Sequence, residues 1–148
     1  VIEPLFQVTF LLAVPFWALM IFAPTWSGTR RVISSPWIMA PPLIVYLAQA
    51  LPVFGDLWTA VSRPSLSVLQ AFLSTPAGAG AIWAQVIAWD LFIGRWMYLD
   101  SRERGVHPLV MAPILVLTIL LSPIGALLYL VVRAVAARAT AAQPATVR

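Results

Sequence analysis

The residues best suited to chemistry fall in one stretch, WAQVIAWDLFIGRWMYLDSRERGVHP at 83–108. Asp90 lies inside an apolar run, followed by Arg95, Tyr98, Asp100 and the lone His107. An isolated carboxylate near the middle of a bilayer costs at least about 2.5 kcal/mol, so such an acid must be paired, protonated or turned to a cavity. Asp90 is therefore a candidate proton donor or ligand anchor. It fits equally an interhelical hydrogen bond that fixes packing, with Gln85 or Gln49 as partner. Arg95 follows five residues later, about 140° around a helix. The two are poorly placed to pair within one helix, so each is expected to reach another helix or a bound group. Arg95 reads either as a grip on a ligand's polar end or as a cation snorkelled to phosphate. Asp100 and Arg104 stand one helical turn apart and form a pair at the membrane edge, which is a solvated helix end or a catalytic carboxylate. His107 has an ordinary pKa near neutrality but precedes Pro108 in a loop, and reads as a surface residue.

The stripe through Asp90 holds Trp83, Val86, Ile87, Ile93, Gly94 and Met97. Gly94 removes bulk one turn from the acid, which lets a helix approach or leaves room for a ligand. Trp83, Trp89 and Trp96 recur at steps of six and seven, and with Trp17 they are expected inside their spans. Those rings are candidates to line a slot for a flat polyene, or to pack the bundle. Trp26, Trp37 and Trp58 fall where the aromatic belt of a membrane protein is expected. The sequence has no cysteine and one histidine, which excludes thiolate nucleophiles, iron–sulfur clusters and multi-histidine metal centres built by one chain. No metal site is expected.

The composition sets the medium for these residues. Of 148 residues, 61% are hydrophobic and 9% charged, and the mean hydropathy is +0.93. Soluble domains carry about 25% charged residues. A soluble enzyme and a disordered chain are both disfavoured. All nine basic residues are arginines, scattered between apolar runs rather than in a stripe, which argues against nucleic acid. Charges are missing from residues 4–29, 32–55, 64–89 and 105–132. Each gap exceeds the roughly 20 residues a helix needs to cross about 30 Å of hydrocarbon. The runs are apolar all round rather than alternating, which favours helices over a barrel. The expected fold is an all-α integral membrane protein. Four transmembrane helices are placed near 5–23, 37–54, 79–99 and 110–133, in a single domain over 1–137 with a flexible tail at 138–148. Pro15 is expected as a kink, and Pro41 and Pro42 near the first turns of the second span.

Between the second and third spans, Leu66, Leu69, Phe72 and Leu73 share a face opposite Ser65, Ser67 and Gln70. A short interfacial helix capped by Ser62 is expected there, the other reading being an ordered loop packed on the bundle. Residues 24–36 and 100–109 are expected as loops on one side and both termini on the other. Arg30, Arg31, Arg102 and Arg104 then oppose Arg63, Arg133, Arg138 and Arg148, and the positive-inside rule barely decides. The paired arginines of the short loops point that side to the cytoplasm. The sequence starts on Val1, expected to fall short of the true start, and its opening residues are not expected to be a cleavable signal.

The segment WAQVIAWDLFIGRWMYLDSRERG resembles the ABA4-like family of small integral membrane proteins. PFWALMIFAPTWSGTRR at 15–31, SSPWIMAPPLIVYL at 34–47 and LSPIGALLYLVVR at 121–133 match in the same order. The resemblance implies action on, or binding of, a carotenoid or related isoprenoid lipid, because plant members are associated with neoxanthin synthesis. That reaction isomerises a violaxanthin epoxide to an allene and a tertiary alcohol. It delivers a proton to the epoxide oxygen and removes one from the adjacent polyene carbon, with no redox cofactor. A buried carboxyl such as Asp90 suits the delivery. Arg95 or Tyr98 would stabilise charge on oxygen, and Asp100 or His107 would suit a ring held nearer the surface. On this reading Asp90, Arg95 and Asp100 are the catalytic candidates, and Trp83, Trp89, Gly94, Trp96 and Tyr98 line the carotenoid. The other reading is a non-enzymatic pigment-binding or accessory subunit of a larger, photosynthetic membrane complex, with a carotenoid, quinone or tetrapyrrole as ligand. The all-arginine basic set and Ala-rich end fit a GC-rich bacterial gene, and hence the bacterial cytoplasmic membrane, with membrane lipids as neighbours.

Overall fold

A computed structural model describes residues 2–141, and every regular element among them is helical. Residues 142–148 of the expected tail lie outside the described residues. Helix α1 spans Ile2–Phe22 and carries Pro15 inside it. Helix α2, Ser27–Ser34, occupies the expected loop at 24–36. A 3-10 turn at Pro36–Met39 leads into α3, Ala40–Ala50, whose first turn holds the expected prolines. A second such turn, Leu51–Val53, leads into α4, Phe54–Ser62. Helices α5, α6 and α7 follow at Leu66–Leu73, Pro76–Glu103 and Pro108–Ala141. Four stretches are long and apolar enough to cross a membrane: Ile2–Phe22, Pro36–Ser62, Pro76–Glu103 and Pro108–Ala139.

Two expectations change at the short elements. The cap between the second and third spans is Ser65, not Ser62, which belongs to α4. Ser65 Oγ accepts from Val68 N at 3.3 Å, the usual N-cap bond that satisfies a first-turn donor. Helix α2 forms because Thr29 and Ile33, one turn apart, are both buried. Thr29 Oγ1 also donates to the Ala23 carbonyl at 2.7 Å. An eight-residue helix with two adjacent arginines gives little sequence signal, since packing rather than propensity stabilises so short an element.

The chain resolves into two compact units, Val1–Pro15 with Pro36–Leu91, and Phe16–Ser35 with Phe92–Arg148. In the first, Phe6 stacks on Trp83 with ring centroids 5.2 Å apart. Ala81, Ala84 and Ala88 are buried, and small residues of this kind let helix backbones approach where no hydrophobic force separates core from lipid.

In the second unit α7 is not one straight rod. Leu121 is non-helical, with φ −146° and ψ 71°. Pro123 explains the break, because its ring collides with the carbonyl four residues back and biases Ser122 away from helical geometry. The break is a reversal. A Cβ on Gly125 would lie 2.8 Å from the Cα and N of Thr118. Seven residues along a straight helix would separate them by roughly 10 Å. Val110 likewise shares an apolar cavity with Val131 and Val135. Residues 108–120 and 122–141 are thus two arms of a hairpin, and the first arm is only roughly 20 Å long at 1.5 Å per residue. The sequence expectation of one continuous helix at 110–133, with Arg133 carried away from Arg104, is corrected here. Arg133 returns to Asp100, to which Arg104 is also bonded.

Candidate functional site

Helix α6 carries the catalytic candidates Asp90, Arg95 and Asp100 and the lining candidates Trp83, Trp89, Gly94, Trp96 and Tyr98. Asp90, Trp83 and Trp89 belong to the first unit; Gly94, Arg95, Trp96, Tyr98 and Asp100 belong to the second. Asp90 is 8% exposed, a buried carboxyl in an apolar helix. Trp83 stacks on Phe6, and its indole nitrogen is buried without a hydrogen-bond partner. Trp89 is 57% exposed, so its ring faces outward rather than into the bundle as expected.

In the second unit each polar candidate has a protein partner. Arg95 Nε donates to the Ile33 carbonyl at 2.8 Å, and its Nη2 to the Ser34 carbonyl at 2.6 Å. These carbonyls belong to the last turn of α2, whose final acceptors have no helical donors. The guanidinium fork therefore closes the C-terminus of α2, a third role beside the ligand grip and the snorkelled cation. Tyr98 Oη donates to the Pro24 carbonyl at 2.7 Å, just past the end of α1. Trp96 meets Tyr129 edge to face at 5.4 Å.

Gly94 resolves to a packing contact. A Cβ there would collide with the six-membered ring of Trp17, which is itself buried. The space left by the missing side chain holds that ring. Gly94→Ala is expected to overpack the contact and cost about 1–3 kcal/mol. A lowered melting temperature in detergent would register this, and Trp17→Phe added to Gly94→Ala should recover part of the loss. An unchanged melting temperature for Gly94→Ala would show that the ring is free to move.

Asp100 is the centre of the densest polar cluster. Its Oδ2 accepts from Arg104 Nε at 2.8 Å, from Tyr129 Oη at 2.5 Å and from Arg133 Nε at 2.9 Å. Arg133 Nη2 lies 3.5 Å from Oδ1. The Arg104 pair is the expected one-turn contact. The partners on α7, Tyr129 and Arg133, were not legible in the sequence. Two guanidinium groups bond one carboxylate, and Arg133 with Tyr129 ties the second arm of α7 to the end of α6. Outside the spans, the Asp100 hydrogen bond raises the Arg104 guanidinium above its ordinary value, so the pair stays charged. His107 Nδ1 accepts from Leu109 N at 3.2 Å in the turn before α7. Among the described residues no group of three or more metal-ligating side chains occurs.

The model of the ABA4-like family, described as ABA DEFICIENT 4-like, matches residues 4–129. The chain belongs to the ABA4-like family. The matched region of this ABA4-like protein runs from the start of α1 to Tyr129 and so includes Asp90, Arg95, Tyr98 and Asp100. Arg133, which completes the Asp100 cluster, lies just beyond it. No curated protein and no solved structure matches the chain.

Proposed function

We propose that this ABA4-like protein resides in the bacterial cytoplasmic membrane and binds a carotenoid or related isoprenoid lipid, with Asp90 anchoring or protonating its oxygen-bearing end. The observation that carries the reading is a buried carboxyl, Asp90, on an apolar helix of a family member. Family membership supplies the substrate class by resemblance, and the acid supplies the chemistry. Epoxide isomerisation is the reaction this pairing suits. A carboxyl gives a proton to the leaving oxygen, and the polyene loses one from the neighbouring carbon, so no cofactor is consumed. Helix α5 lies at the headgroup level on this reading, with exposed Leu66 toward lipid.

The accessory-subunit reading has its own support. Arg95, Tyr98 and Asp100 spend hydrogen bonds on other parts of the protein, and Trp17 fills the space at Gly94. These commitments suit a rigid scaffold more than a first shell around substrate.

Purification in mild detergent from the native host, with an absorption spectrum and mass analysis of the extract, separates the two. The expected result is a co-eluting polyene in the parent protein. Asp90→Asn, which keeps size and hydrogen bonding but gives up the titratable proton, should lose epoxide conversion on co-expression at normal protein level. An eluate free of polyene, with xanthophyll epoxides unchanged, removes the carotenoid reading. Fixed-ratio recovery of larger membrane proteins would then establish the accessory role.

A further inference from the structure

A cavity of about 320 Å³ opens in the second unit, lined by Thr25, Trp26, Ser27, Arg30, Tyr98 and Arg102, with Pro24. No carboxylate lines it. Asp100 forms its ion pairs with Arg104 and Arg133, and Glu103 borders a different cavity beside Arg104 and Gly105. Arg30 and Arg102 thus bring two permanent positive charges to one concavity without an internal counter-charge. Both line the cavity together with Tyr98. Arg102 is fixed in place by a hydrogen bond from its Nη2 to the Val106 carbonyl. Arg30 makes neither ion pair, and its main-chain carbonyl, not its guanidinium, accepts from Ser34.

The rest of the lining suits the same occupant. Ser27 and Thr25 offer hydroxyl donors, and Tyr98 is held by its bond to Pro24. Trp26, at the N-cap of α2, supplies no side-chain acceptor, so the Ser27 and Gly28 N–H groups have no side-chain cap, while the Thr29 N–H donates to the Trp26 carbonyl. Exposed Trp26 beside two arginines is the pairing found where a chain meets headgroups.

We propose that this cavity binds a phosphate group, held by the Arg30 and Arg102 guanidinium groups and the hydroxyls of Ser27 and Thr25. Arginine forks match the spacing of phosphate oxygens, and charge-assisted bonds of this kind are about twice as strong as neutral ones. The phosphate belongs to a lipid headgroup or to a free ion. The assignment does not rest on the carotenoid reading.

The test is thermal unfolding of the purified protein in a non-ionic detergent at low salt, titrated with three probes. These are dihexanoyl phosphatidylglycerol, inorganic phosphate, and dihexanoylglycerol, which has the same chains and no phosphate. Stabilisation by the phosphatidylglycerol alone assigns the site to a headgroup, and stabilisation by inorganic phosphate as well assigns it to the phosphate group itself. Either response should fade as salt rises. Arg30→Gln should weaken the response about tenfold, and Arg31→Gln, a neighbour outside the lining, should leave it intact. The Arg30 guanidinium takes no part in the Asp100 ion pairs, so its replacement leaves that cluster intact. No shift with either phosphate probe, an equal shift with dihexanoylglycerol, or an undiminished response in Arg30→Gln would each overturn the assignment.

Discussion

Asp100→Ala is expected to release the second arm of α7 and to lower stability by roughly 2 kcal/mol. The substitution removes the one acceptor that Tyr129 and Arg133 share with Arg104. Breaking a fully buried pair costs more, about 3–5 kcal/mol, because it strands a charge away from water. Here the Arg133 side chain is 40% exposed and can turn to solvent, which keeps the expected loss near the lower figure. Tyr129→Phe deletes one donor and should cost about half as much. Asp100→Asn keeps an acceptor and should fall between the two. Thermal unfolding in detergent reads the order, and limited proteolysis reads where the chain opens, with new cuts expected in 122–141. A parent-like melting temperature for Asp100→Ala would mean that the cluster does not hold the arm.

A single cysteine placed at Arg138 is expected to react with a membrane-impermeant reagent from the same face as one placed at Gly105. The chain has no native cysteine, so each label reports one position. The reason is the reversal at Leu121, which brings residues 136 and 137 beside Gly105. A straight helix over Pro108–Ala139 would instead put the two labels on opposite faces, and that result would replace the hairpin with a fourth crossing.

The medium and the number of apolar stretches were readable from residue order alone. A carboxylate or guanidinium in hydrocarbon is costly wherever it sits, so the gaps between charges mark the stretches without knowledge of any contact. The expected ranges 5–23, 37–54 and 79–99 each fall on one of the long apolar stretches, and 110–133 covers parts of both arms of α7. The family was readable as well, because its resemblance runs through local segments of the chain.

Which way each residue faces was decided only by the tertiary structure. In a water-soluble helix the polar face tells the buried face apart. In these helices both faces are apolar, because lipid is as apolar as the bundle interior. Nothing in the spacing of Trp83, Trp89 and Trp96 could therefore say that Trp89 points outward while Trp83 stacks on Phe6. Polar partners were hidden for a related reason. Arg95 finds its carbonyls 61 and 62 residues back, and Asp100 finds Arg133 33 residues ahead. Such pairings depend on helix rotation and on where the chain reverses. Pro123 lies inside α7, but a proline in an apolar helix bends or breaks it according to what packs alongside. Thr118 against Gly125, with Asp100 holding Tyr129 and Arg133, makes that bend a reversal and so turns one apolar run into two antiparallel arms.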